Sequence, residues 1–182
     1  MNKEIHHTCR CLNRNFTYDE WRDYVNEHEY NSDEIVHVFN GFEYNIHDVC
    51  LNPKNVIDIS NGPYLRVIIT VCQSDNGRWD YGINSTFWNS GAGSPCTFVD
   101  NIENGYATER GSVYEGIRYA KNAIIKDIEN IRIKIDRYDE FEDKYDLSSS
   151  GKTYRPRLEN NMLKLIDRCL EKYDPRVLSL FD

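Results

Sequence analysis

Leu65-Arg66-Val67-Ile68-Ile69-Thr70-Val71, then Asp75-Asn76-Gly77, then Trp79-Asp80-Tyr81-Gly82-Ile83 is the stretch that decides the fold class. Leu65, Val67, Ile69 and Val71 recur with a period of two, which places them on one face of a half-buried strand. Asp75-Asn76-Gly77 offers the turn residues a hairpin requires, and Trp79, Tyr81 and Ile83 resume the same period on the returning strand. An antiparallel hairpin at the middle of the chain follows. Outward from it the pattern changes on both sides.

Upstream, Thr17 and Glu20 have the spacing of a capping box, and Trp21, Tyr24 and Val25 share one helical face, so a helix is predicted from Thr17 to about His28. Residues 35–39 and 42–46 read as two short strands around Asn40-Gly41, and 48–63 as mostly loop with one short strand at 56–59. Downstream, Gly91-Ala92-Gly93-Ser94-Pro95 reads as a loop and 96–99 as a return to β-like sequence. Ser112 and Glu115 again have capping-box spacing. Ile117, Ile124, Ile131, Tyr138 and Tyr145 form a seven-residue repeat, reinforced by Ile128 and Ile135. A helix over 112–145 would reach roughly 50 Å at about 1.5 Å per residue, too long for one small sheet to cover. Ser148-Ser149-Ser150-Gly151 breaks it, Leu158, Met162, Leu165, Ile166, Cys169, Leu170 and Tyr173 mark a second amphipathic helix, and Asp174-Pro175 ends that one.

The expected architecture is therefore α+β, a small antiparallel sheet with an N-terminal helix and a long C-terminal helical hairpin. The domain reading places the sheet domain at 1–111, the helical hairpin packed on it at 112–173, and a tail at 174–182. The isoleucine face serves a homodimer as well as an intramolecular hairpin.

Composition narrows the function classes. With 182 residues, 40% hydrophobic and 29% charged, the chain is neither a disordered tail nor a membrane protein. It has no apolar run of roughly 18 to 20 residues, and Met1-Asn2-Lys3-Glu4-Ile5-His6-His7 lacks the apolar core of a signal peptide, so the expected location is the cytoplasm. The net charge of −8 disfavours a nonspecific grip on phosphate backbones. The most basic stretch, Lys152-Thr153-Tyr154-Arg155-Pro156-Arg157, holds only three cations and reads as a solvated loop. The 19 Asn and 17 Ile against 4 Ala are the usage of AT-rich coding DNA, as in low-GC bacteria and their phages.

Candidate chemistry is sparse. The six scattered cysteines read as free thiols in a reducing compartment. His6, His7, Cys9 and Cys11 put four donors within six residues, but a structural zinc site draws pairs from separated segments. His47 and Cys50 are the remaining candidates for a second pair, and the cluster is read as unliganded, with no metal and no cofactor. All five histidines precede residue 48, and no Gly-x-Ser-x-Gly or P-loop signature appears, so the chain is expected not to be an enzyme. Trp79, Tyr81, Gly91, Gly93 and Ser94 are the candidates for a small-ligand loop, with a structural turn the favoured reading. Asp136, Asp139, Glu140, Glu142, Asp143 and Asp146 form an acidic run that reads first as a solvated helix face, and second as an imitation of a phosphate backbone.

Two resemblances add to this. Arg78-Trp79-Asp80-Tyr81-Gly82, then Gly91-Ala92-Gly93-Ser94-Pro95, then Tyr106-Ala107-Thr108 leading into a helix resembles a strand-strand-helix module of uncharacterised phage and mobile-element proteins. It covers about 55 residues, departs from the module's pattern at Gly111 and Gly116, and implies provenance without catalytic residues. Val177-Leu178-Ser179-Leu180-Phe181 resembles the Gln-Leu-Ser-Leu-Phe peptide by which bacterial replication and repair proteins dock on the sliding clamp, with Val177 in place of the glutamine. That resemblance implies a partner-binding segment of Leu178, Ser179, Leu180 and Phe181, whose apolar side chains would enter a hydrophobic pocket. The alternative is that these residues pack back on the protein's own core. The functional expectation is a non-enzymatic accessory protein of a phage or mobile element acting by protein-protein contact. A runner-up is an anti-defence or regulatory protein whose acidic face occupies a host defence or nucleic-acid-binding protein, and an enzyme acting on nucleotides or DNA comes third.

Overall fold

The computed structural model describes residues 4–28, 32–62, 65–88, 90–139 and 156–177. The fold is α+β, with small antiparallel sheets and three helices among the described residues. The chain opens with β1 (Ile5–Cys9) and β2 (Arg14–Thr17), an antiparallel pair joined by a turn in which Asn13 adopts φ 49°. Asn, with its short polar side chain, is among the residues that tolerate this left-handed region.

The helix α1 (Tyr18–Glu27) begins where the capping pair lies. Thr17 Oγ1 accepts the Glu20 N–H while the Glu20 carboxylate accepts the Thr17 N–H at 2.9 Å, so two donors that a helix start leaves free are satisfied reciprocally. His28 is the C-cap, the end predicted from the sequence. The strands β3 (His37–Phe39) and β4 (Phe42–Tyr44) pair across Asn40-Gly41, both with positive φ, the turn conformation whose twist matches flanking strands.

The remaining strands, β5 (Lys54–Ser60), β6 (Leu65–Gln73), β7 (Trp79–Phe87) and β8 (Ser90–Ser94), are hydrogen-bonded neighbours in that order. Leu65, Val67, Ile69 and Val71 are all fully buried, as their alternation requires. The strand expected at 56–59 is longer at both ends. The glycine-rich 91–94 stretch differs more: it is part of β8, paired with β7 from Ile83 opposite Ser94 to Phe87 opposite Ser90. Its pairing partner imposes the extended form on residues with little β propensity of their own. Residues 96–99 form no strand, and only Thr97 makes a bridge, to Val49.

Helix α2 (Glu109–Asp139) starts earlier than the Ser112 and Glu115 spacing predicts. Thr108 Oγ1 accepts the Gly111 N–H at 3.0 Å and fills the capping role, while Ser112, fully buried, donates its hydroxyl to the Glu109 carbonyl. Ile117, Ile124 and Ile128 are buried as the repeat demands. The predicted continuation to Tyr145 and the break at 148–151 lie outside the described residues. Helix α3 (Pro156–Tyr173) buries Met162 and Ile166, and an ion pair from Lys121 to Asp167 at 2.6 Å ties it to α2. Among the described residues no helix is long and apolar enough to cross a membrane.

By contacts the chain divides into two compact units: Met1–Lys54 with Thr70–Gly82 and Pro95–Ser112, and Asn55–Ile69 with Ile83–Ser94 and Val113–Asp182. The core of the first unit is aromatic and sulfur-rich, built on Cys9, Cys11, Phe16, Phe42, Tyr44, Ile46, Cys50, Cys72, Cys96 and Phe98. That of the second is mainly aliphatic, with Ile57, Ile59, Leu65, Val67, Ile69, Ile117, Ile124, Met162 and Ile166, and also buries the rings of Phe87 and Trp88.

Within the first unit Gly105 has φ 66°, and a Cβ there would lie 2.8 Å from the Trp79 carbonyl oxygen and 3.0 Å from a Val99 methyl. Gly77 also has positive φ, 76°, but faces open space. Gly105→Ala is expected to cost about 2 to 3 kcal/mol and Gly77→Ala about 1 kcal/mol in urea unfolding, the difference being the steric part.

Candidate functional site

Two segments of the first unit, 38 residues apart in sequence at Arg10 and Asp48, meet around one carboxylate. The first is the end of β1 and the turn after it. Cys9 closes the strand and Cys11 lies in the turn, and their sulfurs are 3.4 Å apart. The second is the loop after β4. There the buried Asn45 side chain accepts the N–H groups of His47 and Val49 at 3.0 and 2.9 Å and donates to the Ser32 carbonyl at 2.6 Å. The Asn45 N–H also donates to the Val49 carbonyl, and the Asp48 N–H donates to the Asn45 carbonyl.

These bonds hold Asp48 at φ 63°, a left-handed conformation that is uncommon outside glycine. Its carbonyl accepts the Phe98 N–H at 2.7 Å. Its carboxylate, 3% exposed as a residue, accepts the Cys11 N–H at 2.8 Å on Oδ1 and the Arg10 guanidinium at 2.9 Å on Oδ2. The Cys9 sulfur lies 3.7 Å from Oδ1. Three metal-ligating atoms, from Cys9, Cys11 and Asp48, thus lie within 4.8 Å of one another, all on buried residues.

The two thiols titrate as a pair. The bond between them holds the Cys11 thiol well above its ordinary range, with burial adding to the effect, and the same bond favours the Cys9 thiolate. Beside them, the His7 ring packs at a tilt of 33° against Trp21 with ring centroids 3.9 Å apart, and its Nε2 lies 3.0 Å from the Ile46 carbonyl oxygen. The His47 ring is 5.3 Å from that of His7, and burial first, then the neighbouring His7, lowers its pKa.

A second sulfur group lies in the same unit. Cys50, Cys72 and Cys96 are buried, Cys96 is 3.3 Å from the Thr70 hydroxyl, and the Cys72 thiol is pushed up by its bonds to Cys50 and Cys96 and by burial. Tyr44, also fully buried, donates its hydroxyl to the Gln73 carbonyl at 2.8 Å, and burial raises its pKa. All six cysteines are free. The histidines outside this centre are engaged elsewhere: His28 with Glu34 at 2.9 Å, His37 with Asp75 at 2.9 Å, and His6 edge-on to Tyr18.

Of the residues singled out from sequence, Cys9 and Cys11 come together while His6 faces Tyr18. Trp79 and Tyr81 lie on β7 in the first unit, Trp79 edge-on to Phe42 and Tyr81 beside Tyr106. Gly91, Gly93 and Ser94 lie in the second unit as exposed residues of β8. Asp136 and Asp139 fall on the last turns of α2, while Glu140, Glu142, Asp143 and Asp146 lie outside the described residues, as do Leu178, Ser179, Leu180 and Phe181. Asp48 was missed. The available signal was Asn45-Ile46-His47-Asp48, a polar cluster directly after an aromatic strand, which a loop reading absorbs without remark.

Compared with known proteins, the chain matches no family model, no curated protein and no solved structure.

Removing the carboxylate leaves the Cys11 N–H and the half-buried Arg10 without their acceptor. Asp48→Ala, measured reduced and with a chelator present, is expected to lose about 2 to 3 kcal/mol in urea unfolding, and Asp48→Asn less, because its amide oxygen still accepts from Cys11.

Proposed function

We propose that the chain is a non-enzymatic accessory protein of a phage or mobile element that acts in the cytoplasm by protein-protein contact. Its partner is the bacterial sliding clamp, met by the segment Val177-Leu178-Ser179-Leu180-Phe181. The observation that carries this reading is the way α3 stops. Asp174 caps the turn after Tyr173, accepting from the Arg176 N–H at 2.9 Å and pairing with its guanidinium, while its carbonyl accepts the Val177 N–H. Pro175, Arg176 and Val177 are exposed, with Val177 at 55%. The clamp-like residues therefore follow a terminated helix and an exposed first position. A short apolar peptide in that setting binds by inserting side chains into a pocket, with its backbone supplying hydrogen bonds. The asparagine- and isoleucine-rich composition supports the phage or mobile-element origin.

Calorimetry against a purified bacterial clamp tests the reading. The parent is expected to bind, and to keep binding at about 1 M salt, where the Debye length is near 3 Å and an apolar contact persists. Leu180→Ala with Phe181→Ala should reduce affinity by about 30-fold or more, as loss of interface anchors does. Val177→Gln, at an exposed position, should strengthen binding by roughly tenfold through restored polar contacts. Absence of binding by the parent, with the double variant less stable to heat, would mean that the segment belongs to the core. Binding that collapses with salt would move the contact to the acidic run at 136–146.

A further inference from the structure

We propose that Cys9, Cys11 and Asp48 form a zinc-binding site. The donors come from two separated segments, β1 with its turn and the loop after β4, so a bound ion would crosslink them in the way structural zinc does. The spacing fits. Tetrahedral zinc with Zn–S near 2.3 Å and Zn–O near 2.0 Å puts two thiolates about 3.8 Å apart and a thiolate and a carboxylate oxygen about 3.5 Å apart. The corresponding distances here are 3.4 Å between the sulfurs and 3.7 Å from the Cys9 sulfur to Asp48 Oδ1.

Chemistry and charge agree with geometry. Two thiolates and a carboxylate suit zinc and exclude magnesium or calcium, which take oxygen ligands. Binding displaces the two thiol protons to solvent, and the resulting three negative charges are balanced by the ion and by Arg10, already 2.9 Å from Asp48 Oδ2. Arg10 and the Cys11 N–H fix the carboxylate from outside, the supporting contacts that metal ligands need. The fourth position falls to a solvent molecule: His7 and His47 stand on the same two segments, but their ring nitrogens do not join the group of ligand atoms within 4.8 Å of one another, and His7 Nε2 is 3.0 Å from the Ile46 carbonyl oxygen.

The test uses the full chain, reduced, freed of chelator and titrated with Co2+ as the spectroscopic probe, then with Zn2+. Expected are one Co2+ per chain with a thiolate-to-cobalt charge-transfer band, and displacement by one equivalent of Zn2+. Cys9→Ser and Cys11→Ser should each weaken the band. Asp48→Asn is the variant that keeps the fold testable, because asparagine tolerates the left-handed backbone and still accepts from Cys11. With an unchanged circular dichroism spectrum it should bind at least about tenfold more weakly, while Cys169→Ser binds as the parent does. The proposal is overturned if the parent shows no charge-transfer band, or if Asp48→Asn binds with parental affinity. It is equally overturned if the band survives Cys9→Ser and Cys11→Ser but disappears in Cys72→Ser, which would move the metal to the Cys50, Cys72 and Cys96 thiols.

Discussion

The buried carboxylate of Asp48 is the constraint on which the first unit depends. One residue joins three stretches of chain: Arg10 and Cys11 through the carboxylate, the Asn45 loop through its own N–H, and Phe98 through its carbonyl. A charged group held at 3% exposure is costly unless its lone pairs are filled, and here both oxygens are. The loop that presents it is itself built around a buried side chain, Asn45, which accepts twice and donates once. Each piece of this arrangement requires the others, so the β1–β2 pair and the loop after β4 are positioned by polar bonds as well as by packing.

Around that knot the core is of a particular kind. Aromatic rings and thiols fill it: Phe16, Trp21 and Tyr24 on one side, with Phe16 and Trp21 5.6 Å apart, and Tyr44 with Phe98 edge-on at 5.3 Å. Edge-to-face rings and polarizable sulfur pack irregular spaces that branched aliphatic residues do not fill. The second unit is mainly aliphatic, with branched residues at regular spacing on its strands and helices and the rings of Phe87 and Trp88 buried among them. The sulfur chemistry is therefore concentrated in one unit, where five of the six cysteines lie, and only Cys169 belongs to the other.

Local signals in the sequence were accurate where local interactions settle the outcome. Thr17 and Glu20 are three residues apart, so the capping box closes within one turn and needs no tertiary help. The alternation from Leu65 to Val71 is equally self-sufficient, since a strand has only two faces. Ser112 and Glu115 have the same spacing as Thr17 and Glu20, yet Thr108 starts the helix and Ser112 is buried inside it. The residues around it decide between two equivalent caps. The β8 stretch shows the same dependence on partners: at Gly91 a Cβ would lie 3.1 Å from the Ser85 carbonyl, so small residues there permit close pairing with β7 rather than marking a loop.

What the sequence determined by itself is the α+β class, the first helix with both its ends, the central hairpin, the stop of α3 at Asp174-Pro175, and the proximity of Cys9 to Cys11. These rest on caps and turns that close within a few residues, or on a period repeated along one strand or helix. Only the tertiary structure decided that Asp48 meets the two cysteines, that Arg10 pairs with its carboxylate, and that Cys50, Cys72 and Cys96 gather in one core. Those contacts close loops of more than twenty residues, and no periodicity or spacing encodes which ends will meet. They follow from how buried faces and buried polar groups find mutual satisfaction, which is a property of the folded chain as a whole.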